Sequence, residues 1–74
     1  MIGMPEQSFP MAVRLDSSSP PLYYIGLAQP GSLSSDAVWQ IMKLDTTGGA
    51  TLLWANGNRE FTDVWDDRLS LTYS

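Results

Sequence analysis

Fifteen residues near the C-terminus hold most of the groups that could do chemistry. WANGNREFTDVWDDR, residues 54–68, contains two tryptophans, an Asn-Gly pair, four acids and two arginines. Paired carboxylates serve as acid and base in glycoside hydrolysis, where the two groups face each other across a cleft. Asp66 and Asp67 are adjacent, so their side chains diverge, and Glu60 and Asp63 can join them only on a well-formed helix. A calcium loop needs acids or amides at alternating positions, then glycine, then a more distant glutamate. Asn56-Gly57-Asn58-Arg59-Glu60 has those residue types without that spacing, and turn formation accounts for them. Aromatic rings beside amides and acids can also stack a sugar or a base. Asn58, Asp63, Trp65 and Asp66 are the candidate ligand patch of this kind. Against it stands the core: a small sheet gains most by burying its largest side chains, here Trp39, Trp54 and Trp65.

Other chemistry is missing its parts. The chain has no histidine and no cysteine, which removes Ser-His-Asp and Cys-His catalysis, disulfides and most zinc patterns. Nine serines occur without a G-x-S-x-G elbow, and the single lysine, Lys43, falls on an expected strand with no serine partner in its pattern. No enzymatic activity, cofactor or metal is expected. The net charge of −4 disfavours nucleic acid and anionic membranes as partners. No apolar run approaches the roughly 18 residues of a membrane span. The N-terminal MIGMPEQSFP lacks a basic start and is broken by Gly3, Pro5 and Glu6, so no export signal is expected there.

The elements that must position these groups are strands. The expected organisation is an extended arm over residues 1–9 and one small β domain over 10–74. MAVRLD (11–16) alternates, with Met11, Val13 and Leu15 on one face and Arg14 and Asp16 on the other, as a half-buried strand does. SSSPP ends it. LYYIGLA (22–28) and AVWQIMKLD (37–45) are rich in β-branched and aromatic residues, separated by a loop turning at Pro30-Gly31. TTGG (46–49) reads as a hairpin loop into ATLLWA (50–55), with Trp39 and Trp54 expected to pack near one another across it. Asn56-Gly57 marks a tight turn. Phe61, Val64 and Trp65 recur at i, i+3 and i+4, suiting one helical turn over 61–66 docked on the sheet. LSLTY (69–73) alternates as a closing strand with Leu69, Leu71 and Tyr73 inward. The expected fold is therefore all-β: a five-stranded antiparallel sheet, or a partly open barrel, with one short helical turn.

One pattern bears on function. The second and third strands are apolar on both faces, whereas an antiparallel strand with one wet face alternates. Two apolar faces need two covers, and a chain of 74 residues without staples has little to spare. Either another subunit supplies one cover, or the sheet curls and buries one face within itself. For the first case Tyr23, Tyr24, Trp39, Met42, Trp65 and Arg68 are the interface candidates.

The series YYIGLAQPG, AVWQIMKLD, LLWANGN and FTDVWDDRLSLTYS, covering residues 23–74, resembles short all-β proteins encoded in tailed-phage and prophage genomes. The resemblance implies a virion component of the tail, fibre or head-tail region, made in the host cytoplasm. Its partners would be further copies of itself or a larger phage structural protein. The alternatives are a glycan or host-surface binding module and a small acidic phage-encoded regulator.

Overall fold

A computed structural model describes residues 10–74. The arm expected over residues 1–9 lies outside the described residues. Four strands form an antiparallel sheet in chain order: β1 (Ala12–Ser19), β2 (Leu22–Ala28), β3 (Ala37–Asp45) and β4 (Thr51–Trp54). A two-residue fifth strand, β5 (Asp63–Val64), pairs with the start of β3, on the edge whose far end pairs with β4. A single 3-10 turn, Trp65–Asp67, follows β5. The strand pairing does not run on from β4 to β1, so the sheet is open rather than a barrel.

Local chemistry explains the connections. Pro20-Pro21, joined by a cis peptide, cannot continue the ladder and turns β1 into β2. Just before it, an extra residue bulges β1 between Asp16 and Ser19, and the Asp16 carboxylate accepts both the backbone N–H and the hydroxyl of Ser18. Asn56 and Gly57 both take positive φ, 57° and 69°, the conformation that two-residue turns demand and these two residue types tolerate. That turn releases the chain from β4 and sends it across one face of the sheet.

The core lies under that returning chain. Tyr24, Ala28, Trp39, Ile41, Ala55 and Trp65 form one buried cluster, with Ala12, Leu22, Leu71 and Tyr73 packed against it. Gly26 faces the same side, and the Trp65 ring lies where a Cβ at that position would be. The rings of Trp39 and Trp65 meet at 6.1 Å and those of Tyr24 and Tyr73 at 5.7 Å, both tilted. The Trp39 indole N–H donates to the Leu33 carbonyl at 2.9 Å, so its burial leaves no unpaired donor.

Four expectations need correction. Trp39 and Trp54 do not pack together: the register places Met42 opposite Trp54, on the face away from Trp39. The helical turn begins at Trp65 rather than at Phe61, which is largely exposed, because Asp63 and Val64 are held extended against β3. Residues 69–73 do not form a strand. Only Tyr73 bridges, to Ala55, and Leu69 points to solvent. Finally, the apolar side of β1 is not its buried side: Val13 is 63% exposed and Leu15 65%.

Candidate functional site

The register sorts every strand residue onto one of two faces. On the covered face lie Ala12, Arg14 and Asp16 of β1, Tyr24, Gly26 and Ala28 of β2, Trp39, Ile41, Lys43 and Asp45 of β3, and Leu53 of β4. The opposite face carries Val13 and Leu15, then Tyr23, Ile25 and Leu27, then Val38, Gln40, Met42 and Leu44, then Leu52 and Trp54. Among the described residues the loop between β4 and β5 reaches this face at Gln40, whose side chain donates to the Arg59 carbonyl, and Met42 is already buried, whereas Val13, Leu15, Val38 and Leu52 are exposed. The middle row of the face runs Leu15, Ile25, Met42, Trp54, each paired with the next.

Charge has gone to the covered side. Arg14 lies over the Trp39 ring at 5.5 Å, Lys43 over Tyr73 at 5.0 Å and Arg68 over Trp65 at 4.7 Å. In each case the charged group itself stands over the aromatic face, a cation–π contact. The Arg68 Nε also donates to Asp16 at 2.9 Å, and its Nη1 donates to the Trp65 carbonyl. These contacts clamp the C-terminal segment to β1. Hydrogen bonds from Ser18, together with Arg68, hold the Asp16 carboxyl at about 2.

Asp63 is the one charged residue among the buried core positions. Burial raises its pKa above the ordinary carboxylate value, and nearby Glu60 adds to the rise. The amide of Asn56, donating at 2.7 Å, opposes it. The Asn56–Asp63 bond spans the base of the loop between β4 and β5, so the carboxylate holds the Asn-Gly turn in place. Asn56 had only a turn role in the sequence; its side chain is the partner that periodicity could not reveal.

The candidate ligand patch does not assemble. Asp63 and Trp65 are buried, Asn58 is exposed with its Oδ1 accepting the Glu60 N–H, and Asp66 is exposed. The interface candidates divide. Tyr24, Trp39 and Trp65 belong to the core beneath the C-terminal segment and are not available to a partner, because Gly26 lets the Trp65 ring settle on β2. Arg68 is partly buried in the Asp16 clamp. Tyr23 and Met42 lie on the opposite face, where Tyr23 is partly exposed but Met42 is already buried. The residues missed there are Val13, Leu15, Val38 and Leu52, all exposed, and the partly exposed Ile25, Leu27, Leu44 and Trp54. The period-two pattern of β1 pointed to the first two.

At one end the uncovered face runs into an open groove whose lining includes Met11, Pro30, Val38 and Phe61. Its polar members are Gln29 and Ser32, and the Ser32 hydroxyl donates to the Gln29 carbonyl. No lining residue is titratable. Among the described residues no three metal-ligating side chains cluster, and no helix is long and apolar enough to cross a membrane. No protein-family model matches the chain, and no similar protein was found among curated proteins or solved structures.

Proposed function

We propose that this chain is a non-enzymatic structural module that works by assembly, either with itself or on a larger protein, through the uncovered face of its sheet. The observation that carries the proposal is that face: eleven strand positions on four strands, ten of them apolar or aromatic and none charged. Exposed apolar surface beyond a few hundred Å² marks an interaction site rather than a free surface. The groove at the end of this face is lined by no acid or base, in keeping with a role in binding rather than reaction.

The setting we propose is a tailed-phage virion, supported by the resemblance of residues 23–74 to small phage-encoded β proteins. The face suits a particle component, which is buried among neighbours when assembled. Quantitative mass spectrometry of purified particles tests the setting. Recovery of the chain in a fixed ratio to the structural proteins is the expected result, and its presence only in the soluble fraction of infected cells would overturn the virion assignment.

A further inference from the structure

We infer that the uncovered face is closed by the same face of a second copy, two sheets packed face to face about a two-fold axis. This rests on the assembly reading above and names the partner that the reading leaves open.

The distribution of charge points to an apolar partner. Every charged residue of β1 to β4, namely Arg14, Asp16, Lys43 and Asp45, lies on the side that the chain already covers. A monomeric sheet with one wet face does the reverse and sends its charges to the wet side. Here the sequence keeps charge off the surface that the single chain leaves open. A charge-free strand face presented on a β1 strand that does contain Arg and Asp is the arrangement of a buried face whose cover comes from elsewhere.

Complementarity then selects a second copy. Partners chosen for specificity commonly match charge with opposite charge, and this face offers none to match. Its one amide side chain, Gln40, already donates through Nε2 to the Arg59 carbonyl at 2.8 Å. Two copies of the face meeting each other therefore bury no charge, and one of the two amide N–H groups of Gln40 is already paired.

The area is sufficient. With Val13, Leu15, Val38 and Leu52 exposed and six further members partly exposed, the face presents at most on the order of 600 Å² per copy, so two copies bury up to roughly 1,200 Å². Specific interfaces need about 1,000 Å² in total. Aligned sheets pack about 10 Å apart with their strands within about 30°. An isologous contact centred on the partly exposed Ile25, beside the already buried Met42, keeps both faces in full overlap. Leu15 and Trp54, at the ends of the same row, then close the margins.

The test is isotope-filtered NMR on the full chain, mixing labelled with unlabelled protein and reading the molecular mass by diffusion in the same sample. The expected result is twice the 8.2 kDa chain mass, with intermolecular contacts from the methyl groups of Ile25, Leu27 and Leu44. An oligomer whose intermolecular contacts run along the free edge of β1 would overturn the inference and leave the assembly reading standing. A monomer whose face contacts come from residues 1–9 would overturn both. A monomer with a bare face would overturn the second copy as occupant, while recovery in particles would separately decide the docking form of the assembly reading.

Discussion

Replacing Gly26 by alanine tests how the C-terminal segment is seated on the sheet. Gly26 lies in the middle of β2 and has no positive φ, so alanine can adopt its backbone conformation without strain. Considered through the unfolded chain alone, Gly→Ala at such a site stabilises by about 0.4–1 kcal/mol. The space says otherwise. A Cβ there would stand 2.5 Å from Cε3 and 2.7 Å from Cζ3 of Trp65, and 3.1 Å from Cε3 of Trp39. Carbon atoms sit comfortably at about 3.5–4.0 Å, so the Trp65 ring must retreat by roughly 1 Å. It cannot slide sideways, because Trp39 is fully buried behind it and Trp65 itself is only 5% exposed. Overpacking of this kind costs about 1–3 kcal/mol, which outweighs the entropic gain. The net expectation is a loss of about 1–2 kcal/mol, from a total of roughly 0.05–0.15 kcal/mol per residue. With a urea slope of about 1 kcal/mol/M, the unfolding midpoint followed by tryptophan emission falls by roughly 1–2 M. Trp65→Leu removes the clashing ring, so it costs less in the Gly26→Ala background than in the wild type, with a coupling of at least about 0.5 kcal/mol. A Gly26→Ala midpoint equal to or above that of the wild type would refute the close approach of Trp65 to β2.

Three further outcomes follow from the titratable groups. Asp63 has a folded-state pKa above its unfolded value, so its contribution to stability is fully present below about 4 and is lost as pH rises through the folded value. Asp63→Asn, which keeps an oxygen for the Asn56 amide, is therefore at least as stable as the wild type at pH 7, and the difference closes on acidification. A clear drop in its urea midpoint at pH 7 would contradict that account. Asp16 behaves oppositely: its depressed pKa gives stability above about 4 that disappears as pH falls toward about 2. Ser18→Ala removes the largest of its stabilising bonds, and NMR titration of the Asp16 carboxyl should find its pKa raised. Tyr73 donates its hydroxyl to the Arg68 carbonyl at 2.8 Å, and burial pushes its ionisation well above the ordinary value near 10. Tyr73→Phe should cost about 1 kcal/mol in urea unfolding. In alkaline spectrophotometric titration Tyr73 should ionise only as the chain unfolds.

Much of the sheet was legible because period-two patterning and turn chemistry act locally. LYYIGLA and AVWQIMKLD are β2 and β3 to the residue, and Asn56-Gly57 is the turn that it resembles. The doubly apolar character of these strands is present in the register, and the C-terminal segment covers one of the two faces. What could not be read was which face receives it. Amphipathy in β1 suggests that Val13 and Leu15 point into the monomer's own core, but the C-terminal segment covers the side of Arg14 and Asp16 instead. That choice depends on Arg68 meeting Asp16, 52 residues away in the chain, and on Tyr73 meeting Tyr24. Neither pairing has a local signature. Gly26 was the one available signal, since a glycine inside a strand often marks the close approach of something bulky. Alternation in LSLTY misled for a related reason: alternation makes a strand only where a partner edge is free, and beyond Ala55 the chain finds just a single bridge at Tyr73.

The central claim is that the uncovered face is an interface, and light scattering of the full chain across a wide concentration range tests it most directly. The comparison protein carries Val13→Lys and Leu52→Lys, two exposed positions on opposite edge strands of that face, so that its own core is untouched. The account predicts a wild-type mass above 8.2 kDa that falls toward it on dilution, and a variant that stays at 8.2 kDa with an unchanged circular dichroism spectrum. A wild-type protein that remains a folded, soluble monomer at every concentration, or a double variant that associates as the wild type does, would contradict self-association through this face.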